Sequence, residues 1–257
     1  MKLRNLLFVL ALFSIVGFGP AKYFVRIAPD NGHVGSENWI EQQKHILDSK
    51  ADNVDSLTWV AQETRILESK ADNLDKKVLQ SSLIAYQRAR KQGYDNQQLL
   101  TIVDYSKPST EKRLWVVDLK NNKILFNTWV AHGKNSGDLN SSSFSNNARS
   151  LKSSLGVFVT EGTYDGHNGY SLRVQGLEHG FNDNAMSRAI VFHGAAYANA
   201  DATKNLGRLG RSWGCFAVDK TLSAPLINTI KNETVVVAYY PDPRWLQNSA
   251  YLNSQQV

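Results

Sequence analysis

The sequence predicts a mainly β domain, a sandwich or partly closed barrel with a few helices, preceded by a helical N-terminal segment. Three observations predict it. Runs rich in β-branched and aromatic residues recur from Leu99 to Tyr240. Clusters of Gly, Asn, Ser, Lys and Pro separate these runs at short intervals, as turns do. Upstream of Gly93 the chain is polar and its apolar residues recur at helical spacing.

Residues 1–21 read as an export signal. Lys2 and Arg4 form a positive start, an apolar or small run follows from Leu6 to Gly19, and Gly19-Pro20-Ala21 offers small residues for a peptidase. The run is shorter than the roughly 20 residues of a spanning helix. An uncleaved membrane tether through residues 6–19 is the alternative. Either way the rest of the chain is expected in an extracytoplasmic space. Residues 22–75 read as a helical spacer with a near-repeat, since Ile46 to Asp55 recurs as Ile66 to Asp75. Two copies are too few for a solenoid.

A domain over 76–241 follows. Lys76 to Arg90 is a helix, with Leu79, Leu83 and Tyr86 on one face and Gly93 as its stop. Leu99 to Tyr105 is a strand. Arg113 to Leu119 and Ile124 to Val130 form a hairpin around Lys120-Asn121-Asn122-Lys123. Leu155–Thr160 and Tyr170–Leu177 are two further strands, and Ala189–His193 is a short apolar one. Cys215–Val218 begins another. Leu222 to Ile230 is a helix, Val235 to Tyr240 a last strand, and 242–257 a C-terminal tail. Residues 134–154 hold eight Ser and four Asn without any period. A stretch of that length is either a functional surface for a polar polymer or a mobile loop.

Composition excludes several classes. The chain has 257 residues, enough for one domain of about 100–200 residues with additions. Its formal charge is +6. Two of its 29 cations and none of its 23 acids lie in 1–21, which leaves +4 without them. The basic residues are scattered, so no nucleic-acid footprint exists. No H-E-x-x-H, phosphate loop, dinucleotide fingerprint or G-x-S-x-G elbow occurs. No metal or organic cofactor is called for.

The single cysteine, Cys215, sits in Gly207-Arg208-Leu209-Gly210-Arg211-Ser212-Trp213-Gly214-Cys215. A free thiol, with a pKa of about 8.5, shifts toward thiolate beside cations. Gly214 permits a tight turn, and the Gly214 and Cys215 amides could face a developing oxyanion. Arg208 or Arg211 could hold a substrate carboxylate. The plain alternative is a surface turn whose cysteine begins a core strand. A nucleophilic cysteine needs a base. His193, at the end of Ile190-Val191-Phe192 and before Gly194, is the first candidate. His132, at the end of Trp129-Val130-Ala131, is the second, as base or substrate contact.

His193-Gly194 followed by Ser212-Trp213-Gly214-Cys215 resembles the His-Gly and Ser/Thr-x-Gly-Cys signature of the L,D-transpeptidase catalytic-domain family of bacterial cell-wall enzymes. Val130 to Gly137, Phe144-Ser145-Asn146, Ser153 to Gly156 and the Gly-Arg-Ser-Trp-Gly-Cys surroundings look like one branch of it. The resemblance covers roughly 76–241 and implies an L,D-transpeptidase-like fold. It implies that Cys215 attacks the carbonyl at an L-centre–D-Ala bond of a peptidoglycan tetrapeptide stem, expels D-Ala and forms a thioester that an amine resolves. His193 would carry the proton and the Gly194 carbonyl would orient its ring. Ser212 would shape the loop, and Trp213 and His132 would join Arg211 and Arg208 in binding substrate. The chain departs from the commoner branch in two ways: Ala217 stands where an Arg is usual, two residues after the cysteine, and Trp213 where His is frequent. Arg211, then Arg208 or Arg173, would take over the carboxylate. An L,D-carboxypeptidase, with water as acceptor, would use the same residues, and a non-catalytic peptidoglycan-binding module is the remaining alternative. A sortase would need an arginine soon after the cysteine, and the first is Arg244.

Overall fold

A computed structural model describes residues 54–253. Helix α1 spans 54–68. It is followed by α2 (Lys76–Lys91), β1 (Leu99–Asp104), β2 (Leu114–Asp118), β3 (Lys123–Thr128), β4 (Gly156–Gly166), β5 (Gly169–Gly176), β6 (Val191–Ala195), α3 (Ala200–Leu206), β7 (Phe216–Asp219), α4 (Lys220–Ile230), β8 (Val235–Tyr239) and α5 (Pro243–Asn248).

All eight strands join one sheet in the order β3-β2-β1-β8-β4-β5-β6-β7. β1 and β8 lie near its centre, parallel to one another and buried along their whole length. That burial explains why neither shows an apolar–polar alternation, because a strand covered on both faces does not alternate. α2 packs against β1 and β8, and α4 against β6 and β7. Asp75 caps α2 by accepting from the Lys77 and Val78 amides, which supplies partners for two otherwise orphaned donors.

The sheet nearly closes on itself. β3 and β7 are its two edges, yet the chain leaving β3 crosses to β7. The Ala131 amide donates to the Ala217 carbonyl at 2.8 Å. Ser212 N–H then donates to the His132 carbonyl at 2.9 Å, and Lys134 N–H to the Ser212 carbonyl at 2.7 Å. Residues 131–134 thus sew one edge to the segment that precedes the other. The fold is a single, nearly closed sheet rather than two stacked ones.

Alternation along β6 and β7 separates two environments. Phe192 and Phe216 point into the main core, their rings stacked at 4.6 Å, with Phe158 edge-on to Phe216 at 5.5 Å. The opposite face carries Ala131, Ala195, Ala198, Leu209 and Ala217 as a second, smaller cluster.

Two expected boundaries are corrected. The described part of the 22–75 spacer belongs to the folded unit: Val60, Leu67, Ala71 and Leu74 are buried in the main core, and Trp115 Nε1–H donates to the Asp72 carbonyl at 3.0 Å. The apolar residues of this stretch pack inward, and Trp59 of α1 stacks on Tyr86 of α2 at 6.2 Å. The 242–257 tail is likewise no tail over its described part. Trp245 is fully buried, and its indole donates to the buried Glu178 carboxylate at 3.0 Å. Glu178 also accepts from the Val157 amide and from Ser249 Oγ, so one carboxylate straps α5 to β4. Helix α3, capped by Asn199, was not foreseen. The expected export signal and the first repeat copy to residue 53 lie outside the described residues. Among those described, no helix is long and apolar enough to cross a membrane.

Candidate active site

Strand register brings the segments of Cys215 and His193 side by side. β6 and β7 run parallel, with Phe192 opposite Phe216 and His193 opposite Ala217. Cys215 lies two residues before Ala217. Cys215 stands in the bend just before β7, so the register sets it beside the β6 segment that carries His193. His193 alternates with Phe192 along β6 and so faces away from the stacked phenylalanines.

The imidazole is fixed by its own strand. His193 Nδ1–H donates to the Gly194 carbonyl at 3.0 Å, which leaves Nε2 with its lone pair. Burial lowers the His193 pKa, partly opposed by that bond to Gly194. Gly194 is itself required by packing: a Cβ there would stand 2.5 Å from Ser223 Oγ and 3.1 Å from the Lys220 Cα of α4.

The thiol is half-buried. Its Sγ–H donates to the Ala189 carbonyl at 3.6 Å. Burial pushes its pKa up, while the Val191 amide and the Arg188 guanidinium pull the other way. At rest, therefore, the thiol keeps its proton and the imidazole is neutral. Ala189 adopts φ +54°, a left-handed conformation that alanine adopts at a cost of about 1 kcal/mol or more. The neighbouring carbonyl is thereby presented to the sulfur.

The turn before the cysteine is held by Ser212. Its Oγ donates to the Cys215 carbonyl at 2.8 Å and accepts from the Gly214 amide at 3.1 Å. The expected oxyanion donor at Gly214 is corrected accordingly, since that N–H already has a partner. Gly214 contributes shape instead. Its φ is +117°, and a Cβ would stand 2.6 Å from the Lys152 carbonyl, so no other residue fits without strain. Trp213, between these two, is 75% exposed.

Arg208 and Arg211 converge on one carboxylate. Arg208 Nε stands 2.8 Å and Arg211 NH1 3.3 Å from Asp138 Oδ1. Two guanidinium groups share a single negative charge, so a local positive excess remains. Arg173, the third expected candidate, stacks instead over the Tyr164 ring at 4.1 Å.

His132 is not a surface contact. It is 1% exposed, and its Nδ1 accepts from Arg113 NH2 at 2.8 Å. Arg113 is itself fully buried and also donates to the Val130 and Lys107 carbonyls. Burial and the adjacent guanidinium lower the His132 pKa to about 4. Its expected roles as second base or substrate contact are corrected: the ring is a neutral strut beneath the seam.

The 134–154 segment is not free. Ser153 Oγ accepts from the Gly133 amide, Ser136 Oγ from the Ser153 amide, and the Ser136 carbonyl from the Ser142 and Ser143 amides. Lys152 Nζ donates to Ser143 Oγ at 2.6 Å. Several serines thus serve the loop's own framework rather than a ligand. Sequence reasoning also missed Arg188, whose only signal was its place five residues before His193.

The structure is thus a nearly closed sheet that brings a cysteine and a histidine to neighbouring positions beside its seam. The sequence model described as the L,D-transpeptidase catalytic domain matches residues 70–239, and the chain belongs to that family. Solved structures similar to it include an L,D-transpeptidase from Mycobacterium smegmatis, at 12% identity and TM-score 0.34, with 56% of this chain and 59% of that one covered. Mycobacterium tuberculosis L,D-transpeptidase 1 is similar at 12% identity and TM-score 0.32, covering 56% and 62%. The L,D-transpeptidase from Xylanimonas cellulosilytica is similar at 12% identity and TM-score 0.33, covering 70% and 92%. The chain spans about three-fifths of the first of these. No curated protein sequence matches it.

Ala217, where the commoner pattern has arginine, is fully buried and pairs with both His193 and Ala131. A long charged side chain has no outlet at this position.

Proposed function

We propose that this protein is a cell-wall cysteine acyltransferase, a murein L,D-transpeptidase, that works outside the cytoplasm on peptidoglycan stem peptides. The observation that carries the reading is the register that sets His193 opposite Ala217, two residues after Cys215, with His193 Nδ1 committed to Gly194 and Nε2 left as the acceptor.

In this mechanism Nε2 of His193 takes the Sγ proton as the sulfur attacks the carbonyl of the L-centre–D-Ala bond. The charge on the carbonyl oxygen meets the Cys215 amide. The tetrahedral intermediate collapses, the C–N bond breaks, and the imidazolium returns its proton to the departing D-Ala amine. A thioester on Cys215 remains. A second amine attacks it, passes its proton to Nε2, and releases the thiol with a new amide bond. The low His193 pKa suits a base that must be neutral before the thiol approaches its substrate.

Arg211, with Arg208 beside it, receives a donor carboxylate, supported by their shared Asp138 and the positive excess left over. Trp213 offers an open aromatic face beside the nucleophile, and aromatic faces cover apolar substrate surface at low entropic cost. A balance of +4 beyond residue 21 favours approach to an anionic wall.

Incubation of the purified protein with tetrapeptide muropeptides tests the reading. Cross-linked dimers with loss of one D-Ala are expected. Monomers trimmed by one D-Ala and no dimers would make water the acceptor and the protein an L,D-carboxypeptidase. Unchanged substrate would leave a binding module.

A further inference from the structure

Arg188 sits in the turn that leads into β6 and reaches across to the serine-rich loop. NH1 donates to the Ser145 carbonyl at 2.7 Å and to Ser154 Oγ at 2.6 Å. NH2 donates to Ser150 Oγ at 3.2 Å and to the Lys152 carbonyl at 2.6 Å. A guanidinium has five N–H donors, and four are in use on neutral acceptors. None of its partners is a carboxylate, so its charge is not neutralised by an ion pair. One contact and one chain neighbour lead from it to the nucleophile. The Lys152 carbonyl is the atom against which Gly214 packs. Ala189, the next residue along the chain, accepts the Cys215 thiol proton.

We propose that Arg188 is a positioning residue for Cys215: its fork clamps residues 145–154 beneath Gly214, and its unpaired charge favours the sulfur anion as that anion forms. The proposal rests on the acyl-transfer reading for its kinetic consequence only. Arg188 does not serve as the donor-carboxylate site, because a single free N–H cannot grip a carboxylate at both oxygens. The other titratable groups around the sulfur are His193 from β6, Tyr197 from the turn after it and Tyr105 from the end of β1. Burial raises both tyrosines, to about 12 each, so they stay neutral over the working range. Lys152 turns its ammonium to Ser143. Arg188 is the cation left to act on the thiol.

The test is the pH dependence of Cys215 alkylation by iodoacetamide, read by intact mass, in the wild type, Arg188→Gln and Arg188→Lys, with acylation by a tetrapeptide donor measured in parallel. Loss of an opposite charge at close range moves a pKa by one unit or more. Arg188→Gln should therefore raise the alkylation midpoint by about one pH unit. Arg188→Lys should keep the midpoint near the wild-type value yet lower kcat about tenfold, with KM for the donor unchanged, because the ammonium cannot reproduce the fork. A merely structural role would lower thermal stability without moving the midpoint. If Arg188→Gln fails to fold, the kcat-against-KM split in Arg188→Lys decides the matter. A wild-type midpoint in Arg188→Gln, or unaltered kcat in Arg188→Lys, would overturn the proposal. A wild type that alkylates but is never acylated by the donor would overturn the acyl-transfer reading instead, while the midpoint comparison still tests the coupling of Arg188 to Cys215.

Discussion

Ser212 Oγ donates to the carbonyl of Cys215 at 2.8 Å, so the residue three positions upstream holds the nucleophile's own backbone. The same oxygen accepts the Gly214 amide, and both bonds lie in a loop segment that carries the seam contacts to His132 and Lys134. Removing the hydroxyl leaves a buried amide and a carbonyl without their partner. Ser212→Ala should cost about 1–2 kcal/mol of stability and lower kcat for the acylation step more than it changes KM. Thermal denaturation alongside donor kinetics checks this. Wild-type kcat in the alanine variant would contradict the role given to Ser212.

The resting charges at the site set its pH profile. Burial lowers the His193 pKa and raises that of Cys215. The active combination, neutral imidazole with protonated thiol, is therefore populated between a depressed acid limb and an elevated alkaline one. The rate of donor acylation should fall on the acid side only below the ordinary histidine range, centred at about 6.5. On the alkaline side it should change only above the ordinary cysteine range. A resting thiolate–imidazolium pair would behave in the opposite way. Alkylation of Cys215 proceeding at a full rate near pH 5 would reveal such a pair.

His132 links stability to pH. Its folded pKa of about 4 lies below the ordinary value of 6.5, so between those two values the unfolded chain binds more protons than the folded one. Stability contributed by the neutral buried ring is complete above pH 6.5 and is lost as pH falls toward 4. The ring is 1% exposed, and the loss amounts to about 3 kcal/mol in total. His132→Gln keeps an acceptor for Arg113 but does not titrate. Urea unfolding at pH 7 and at pH 4.5 should show the variant losing less stability than the wild type. Equal losses in the two proteins would remove His132 from the acid response.

Much of the sheet was legible because its strands are short, β-branched and bounded by turn residues. The central pair β1 and β8 reads as runs dominated by Leu, Ile and Val, and the β2–β3 hairpin as two β-rich runs around Lys120-Asn121-Asn122-Lys123. The proposed nucleophile and base each stand beside a glycine: Gly194 and Gly214 mark places where backbone or helix approaches too closely for a side chain. What failed was long-range. The segment containing Val60 and Leu67 reads as a polar spacer because only one narrow apolar stripe enters the core, beside α2. Trp245 gives no local hint that Glu178, far upstream, receives its indole. His132 ends a strand just as His193 does, and only the buried Arg113 separates a strut from a base. The serine-rich loop looks mobile by composition, since nothing local says that its hydroxyls bond to one another and to Arg188.

The most direct measurement is intact mass spectrometry of the protein after brief exposure to a tetrapeptide stem. A covalent acyl adduct equal to the donor minus D-Ala is expected on Cys215, absent from Cys215→Ser and formed much more slowly in His193→Ala. A protein that cross-links stems with no adduct on Cys215, or one that acylates equally without His193, would contradict the account.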